Sequence, residues 1–294
     1  MDTLLYLAAR ALVAVVQSLP LEWVARLGRA GGALAYRLDK RHRRVATINL
    51  RLCFGAEKTP HEINELAREN FRRIGETFAC AVKTAGMTSE QLSRHLTTEI
   101  KTQRPLPDPK TERIIFAIGH FGNFELYARE EEFSRGWQIA TTYRGLRQPS
   151  LDRLLSCLRA RSTCLFFERR KDMAALKAAL QKPGICLGLL ADQHAGWGSV
   201  RVPFLGHDCM TSAAPVVLAQ RYHCRLFTAA CFRTTLAKWV IEFGPEIPVR
   251  QDGRNRPPED VMREVNDAFG AAVRRDPANW FWVHNRWRVA NAPQ

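Results

Sequence analysis

Apolar residues along the chain change their period near residue 105, and the change predicts two kinds of architecture. In "MDTLLYLAARALVAVVQSLPLEWVARLGRAGG", projection at 100° per residue gathers Asp2, Thr3, Tyr6, Arg10 and Gln17 on one side. Leu4, Leu7, Ala8, Leu12 and Val15 gather on the other. Arg10 and the following Pro20 make this helix too short and too charged to span a bilayer, and its pattern predicts a helix lying in a membrane interface. An amphipathic helix packed on the core is the alternative. "TPHEINELARENFRRIGETFACAVKT" has helical spacing with a Thr-Pro start, and "MTSEQLSRHL" offers a capping box at Ser89. "RPLPDPKTE" then reads as a Pro-rich surface loop. Beyond it, short apolar runs ("RIIFAIG", "WQIATTY", "CLFFE", "ICLGLLAD", "RLFTAACFR", "WVIEFG") alternate with helical stretches such as "FELYAREEEF", "PSLDRLLSCLRARS" and "MAALKAALQK". That alternation predicts an α/β sheet flanked by helices over residues 105–294, after a helical, membrane-associated region over 1–104, the two forming one continuous unit.

Composition supports a globular chain: 294 residues, 46% hydrophobic and 25% charged, can bury a full core. The net charge of +15 points to an anionic partner. Arg37, Lys40, Arg41, Arg43 and Arg44, just downstream of the first helix, suit an anionic membrane surface. No basic segment precedes the first apolar run, so it does not read as a secretory signal. The eight cysteines form no C-x-x-C pair and sit mostly in apolar surroundings, which predicts reduced, structural thiols, a cytosolic globular part and no zinc site.

Candidate chemistry centres on "RIIFAIGHFGNFELYARE". A strand over Arg113 to Gly119 puts His120 at its carboxyl end, where α/β folds gather their sites. Gly122 permits close approach or a positive φ, and Asn123 suits a helix cap. Glu125 follows five positions after His120; on one continuous helix the two would stand about 140° apart, but a strand-to-helix bend brings them together. Glu125 would then accept from one imidazole nitrogen and raise the basicity of the other.

"GHFGNFE" resembles the His-x4-acidic motif of glycerolipid-type acyltransferases, and specifically the H-F-G-N-W-E form of the bacterial lipid A biosynthesis acyltransferases. "RRVATINLRLCFG" is similar to that family's R-R-x-x-x-x-N-L-x-x-x-F segment, and "YRGLRQPSLDRLLSCLRARS" to its Tyr-Arg segment with a following arginine. "LLADQHAGWGSVRVPFLGHDCMTSAAPVVLA" resembles its Asp-Gln stretch, and "WFWVHNRWR" its W-x-H-x-R close. Phe124, Gln148, Leu205 and Trp287 depart from the family pattern by aromatic, apolar or amide exchanges that spare the chemistry but bear on the acceptor. The resemblance implies a glycerolipid-acyltransferase-like mixed sheet at the cytoplasmic face of the inner membrane. It implies transfer of a fatty acyl group from acyl carrier protein to a hydroxyl of a membrane glycolipid, a lipid A precursor, without cofactor or metal. His120 is the implied base, paired with Glu125. Arg161 is the implied active-site arginine, with Arg159 as the alternative, acting on the thioester oxygen. Arg144 is expected to bind a phosphate, Asp192 and Gln193 to order the site or meet the acceptor, and Phe121, Phe124, Phe204 and Trp282 to line a slot for the fatty chain.

Other classes find little support. A nucleic-acid-binding module would explain the charge, yet no zinc-finger or RNP-like pattern accompanies it. No G-x-S-x-G elbow, P-loop or G-x-G-x-x-G occurs. The nearer competitor is the same transferase chemistry on another membrane glycolipid or lysophospholipid.

Overall fold

A computed structural model describes residues 2–101, 107–130 and 135–288. Part of the Pro-rich loop (102–106) and residues 131–134 of the stretch "FELYAREEEF" lie outside the described residues. Four helices come first: α1 Asp2–Ser18, α2 Leu21–Leu38, α3 Lys40–Phe54 and α4 Pro60–Thr84. Thr59 and Glu62 close a reciprocal capping box on α4, and Pro60 occupies its first turn. A short α5, Ser89–Ser93, is capped by Thr88 with Gln91, so the capping residue precedes the expected Ser89 by one position.

The strands β1 Leu96–Ile100, β2 Ile114–Ile118, β3 Gln138–Tyr143, β4 Leu165–Glu168 and β5 Ile185–Leu190 enter the central sheet, as do β8 Arg225–Thr235 and β9 Lys238–Glu246. Between them lie α6 Pro149–Arg159, α7 Met173–Leu180, a hairpin of β6 Ser199–Phe204 and β7 His207–Ser212, and α8 Ala214–Tyr222; α9 Pro258–Arg275 follows. Among the described residues the sheet has seven strands in the order β1-β9-β8-β2-β5-β3-β4. The pairs β8–β2, β2–β5, β5–β3 and β3–β4 are parallel, and β9 runs antiparallel to β8. The central strand β2, IIFAI, is buried at every position, as a parallel strand covered on both faces must be. β1 was not expected: it falls inside the stretch read as helical and pairs with β9.

The amino-terminal helices are built into the same body. Gly28 and Gly32 of α2 cross Gly75 of α4 so closely that a Cβ on Gly75 would stand 2.1 Å from the Gly28 carbonyl oxygen. Asn49 of α3 donates through Nδ2 to the carbonyls of Trp282 and His284 at 2.9 and 2.8 Å, and Asn70 of α4 donates to Ala278 O at 2.9 Å and Trp280 O at 2.5 Å. The carboxyl-terminal segment is thereby strapped across the helices. Asn49 belongs to the "RRVATINLRLCF" motif, which gains a structural reason.

α1 turns inward a mixed stripe of Tyr6, Ala9, Val13, Val16 and Gln17, while Thr3 and Arg10 of its polar side are exposed. Gln17 Nε2 donates to Val82 O at 3.2 Å, and Tyr6 is half-buried, while Leu4, Leu7, Leu12 and Val15 are exposed, Leu4 at 77%. No helix among the described residues is long and apolar enough to cross a membrane.

Candidate active site

Strand register builds the site. β2 and β5 are parallel partners with Ile118 opposite Leu190, so two residues further on His120 and Asp192 emerge side by side at the carboxyl edge of the sheet. His120 Nδ1 and its backbone N–H each lie 2.8 Å from an Asp192 oxygen, and Trp280 Nε1 donates to Asp192 Oδ2 at 2.8 Å. Burial pushes the Asp192 carboxyl up, but the His120 charge and the hydrogen bonds from His120 and Trp280 outweigh it and hold the pKa at about 2. The ionised carboxylate is an acceptor only, so Nδ1 carries the proton and Nε2 is left with its lone pair. Gln193 Nε2 lies 3.5 Å from that atom.

The turn after His120 is fixed from below. Gly122 has φ +48°, and a Cβ there would lie 2.7 Å from Cys231 O, which accounts for glycine at this position. Its N–H donates to Asn279 O at 3.0 Å, and Thr77 Oγ1 donates to its carbonyl at 3.0 Å. Asn123 does not cap the following helix as expected: its side chain is fully buried, and neither Oδ1 nor Nδ2 has a hydrogen-bond partner among the described residues.

Glu125 goes elsewhere than the sequence spacing suggests. The chain after Asn123 is a 3₁₀ turn, Phe124–Arg129, which carries the carboxylate to Arg159: Nη2 donates to Oε1 at 2.7 Å and Nε to Oε2 at 3.4 Å. The carboxylate that orients the imidazole is thus Asp192, because adjacent strand ends lie closer than five residues of chain around a bend. Arg159 ends α6, with its guanidinium 5.0 Å from the Phe166 ring centroid and 5.3 Å from that of Tyr143. Arg161, expected at the site, is exposed and donates through Nη1 to Gln17 Oε1 at 3.4 Å. Two residues amount to about 200° of helical rotation, and at the frayed end of α6 that separates inside from outside.

These residues border a cleft of about 830 Å³, within the usual range for ligand sites. His120, Glu125, Arg144, Arg159 and Gln193 line it, and its apolar interior includes Phe116, Ile118, Leu189 and Phe243. A second, apolar cavity of about 220 Å³ adjoins it; Phe124, Glu125, Ala128, Leu155, Arg159 and Phe166 border both, so the Glu125–Arg159 ion pair stands in the shared wall. The expected fatty-chain slot needs correction. Phe124 lines the cleft, whereas Phe121, Phe204 and Trp282 are core residues: Phe121 packs on Phe269 at 5.9 Å, Phe204 on Trp280 at 5.3 Å and Trp282 on Trp280 at 4.8 Å between ring centroids. Phe121 follows His120 directly and points to the opposite side of the strand end, into the core.

Two supporting residues escaped the sequence reading although their motif was noticed. Trp280 holds Asp192, as described. Arg286 is fully buried, donating through Nη1 to Gln193 O at 2.6 Å and Met210 O at 2.7 Å, and through Nη2 to Thr211 Oγ1 at 2.7 Å. It fixes the backbone of the residue beside His120 Nε2. Both lie in "WFWVHNRWR", where the spacing of aromatic and basic residues marks a motif but not its contacts.

A mixed, mostly parallel sheet with a carboxylate-held imidazole at the carboxyl edge of its parallel strands, facing an apolar-walled cleft, defines the class: an α/β enzyme equipped for an apolar substrate. Residues 2–289 match the bacterial lipid A biosynthesis acyltransferases, and the chain belongs to that family. It is similar to the lipid A biosynthesis lauroyltransferase of Escherichia coli (strain K12), with 27% identity over 282 residues, 94% of this chain and 88% of the relative. The protein is an acyltransferase of lipid A biosynthesis.

Proposed function

We propose that this protein works at the cytoplasmic face of the inner membrane, carrying a fatty acyl chain from acyl carrier protein to a hydroxyl of a lipid A precursor, with His120 as general base. The observation that carries the reading is the fixed tautomer: Nδ1 bound to a buried, ionised Asp192, with Nε2 bordering an apolar cleft. In this reading the acceptor hydroxyl gives its proton to Nε2 as its oxygen attacks the thioester carbonyl carbon. The carbonyl electron pair moves to oxygen, then returns as the carbon–sulfur bond breaks. The departing thiolate takes the proton from the imidazolium, leaving an ester and a free thiol. Arg159 is the donor proposed for the developing oxyanion, held in the cleft wall by Glu125. The apolar interior of the cleft suits the fatty chain, and Arg144 at a strand end suits a phosphate of the acceptor or of the carrier's prosthetic arm.

The test supplies purified protein with acyl carrier protein thioesters and a lipid A precursor and follows the product by mass spectrometry. An ester on the precursor, lost in His120→Ala, is the expected result. Turnover of His120→Ala near the wild-type rate would remove the base assignment, and acylation of a different glycolipid would redirect the acceptor.

A further inference from the structure

We infer that the mouth of the cleft is itself a membrane-docking surface, resting on the proposal that the acceptor is a membrane lipid. The loop after Gln193 reads His194-Ala195-Gly196-Trp197-Gly198, and its tryptophan borders the cleft with 104% relative exposure, held clear of the body between two glycines, the second at φ +74°. A bare indole in water is costly, and tryptophan is the side chain most at home at a lipid headgroup boundary. It does not stand alone. Leu146 (47% exposed) and Met173 (39%), from the segments after β3 and β4, border the same cleft.

Cations accompany these apolar tips. Arg144 and Arg169 border the cleft and are exposed, Arg147 lies one residue beyond Leu146, and none of the three has an ion pair or side-chain hydrogen bond among the described residues. Apolar tips interleaved with unpaired arginines match an anionic lipid surface, where the tips enter the acyl boundary and the guanidinium groups meet phosphates.

The first helix joins this face from its own contacts. α1 runs alongside α6 in the same direction, with Tyr6 near Arg153 at 5.9 Å and Gln17 bonded to Arg161 at 3.4 Å. Its exposed amino-terminal leucines, Leu4 and Leu7, therefore lie toward the start of α6, where the Leu146 loop leaves. The exposed start of α1 and the Leu146 part of the rim thus lie at the same end of α6, and in this proposal an acceptor lipid reaches His120 from the bilayer rather than through water.

Fluorescence with vesicles carrying bromine on their acyl chains tests this, using the full chain. Trp23, also exposed, is first changed to Phe, and the signal of Trp197 is the difference between Trp23→Phe and Trp23→Phe/Trp197→Phe. In vesicles rich in phosphatidylglycerol, the Trp197 component should be quenched. Removing Arg144 and Arg169 as glutamines should weaken binding by about fivefold each on anionic vesicles and little on phosphatidylcholine. A protein bound to anionic vesicles whose Trp197 component is unquenched would be held by α1 alone, and the inference would fall. Quenching is read without turnover, so failure of the proposed reaction and failure of the docking face are separate results.

Discussion

Three donors among the described residues converge on the Asp192 carboxylate: His120 N, His120 Nδ1 and Trp280 Nε1, each at 2.8 Å. Asp192→Asn would set an amide N–H against one of these donors and would release the imidazole to the wrong tautomer, so activity should fall by ~10² or more with the fold retained. His120→Ala should fall at least as far. Circular dichroism and steady-state kinetics on the same preparations check both. The arginine assignment is open to a direct comparison. Arg159→Ala should cripple turnover and leave Glu125 unpaired in the cleft wall, whereas Arg161→Ala, which loses one bond to Gln17, should remain near wild type. A crippled Arg161→Ala beside an active Arg159→Ala would reverse the order proposed here. Arg159→Lys should also lose most activity, because an ammonium cannot reproduce the two-point contact with Glu125.

At the scale of elements, α3 and α4 hold the carboxyl-terminal segment by two asparagines. Asn70→Ala removes both donors from buried carbonyls at Ala278 and Trp280, which should cost ~1–3 kcal/mol. In urea this should appear as a lower midpoint with an unchanged slope. Because Trp280 is one of the donors to Asp192, activity should fall further than the population of unfolded protein accounts for. α1 makes a different prediction. Its inward polar contacts are few and its outward leucines many, so deleting residues 1–18 should leave the body folded and weaken sedimentation with anionic vesicles, with added salt releasing more of the truncated protein. Undiminished binding of the truncated protein at high salt would show that α1 is not the anchor.

For the whole molecule, pH and ionic strength carry the expectations. Burial lowers the His284 pKa from 6.5 to about 4, with the Asp192 charge opposing and Arg286 assisting. The unfolded chain therefore takes up this proton at a higher pH than the folded one, and stability should decline as pH falls from about 6.5 to about 4, by roughly 3 kcal/mol in all. Asp192 is shifted in the same direction but at lower pH, from 3.8 to about 2, so its contribution is complete above 3.8 and is lost only as pH falls toward 2. Urea midpoints measured between those limits should thus become flatter in His284→Gln. The net charge of +15 also bears on the donor: acyl carrier proteins are acidic, so rising salt should lower kcat/KM for carrier-protein thioesters much more than for acyl-CoA. Equal sensitivity would count against carrier-protein recognition.

Hydrophobic periodicity and punctuation determined a good deal by themselves. They indicated an α/β sheet with helices, a helix over the first eighteen residues with a leucine side and a polar side, a strand ending at His120, and a glycine at 122 that permits a close approach or a positive φ. Each of these depends on residues near in sequence. What they left open depends on neighbours far apart in the chain. The strand order brings Asp192 beside His120 across 72 residues, and the 3₁₀ turn and the end of α6 bring Glu125 to Arg159 across 34. The inward side of α1 could not be assigned from its pattern, since a helix with one apolar face is equally suited to a core or a bilayer until its neighbours are known. Phe121 and Phe124 show the same limit: similar side chains three residues apart, one buried in the core and the other bordering the cleft, separated only by how the strand end and the turn are packed. Local pattern records what a residue can do, and tertiary packing decides which partner it meets, because hydrogen bonds and burial act over a few ångströms of space regardless of the length of chain between them.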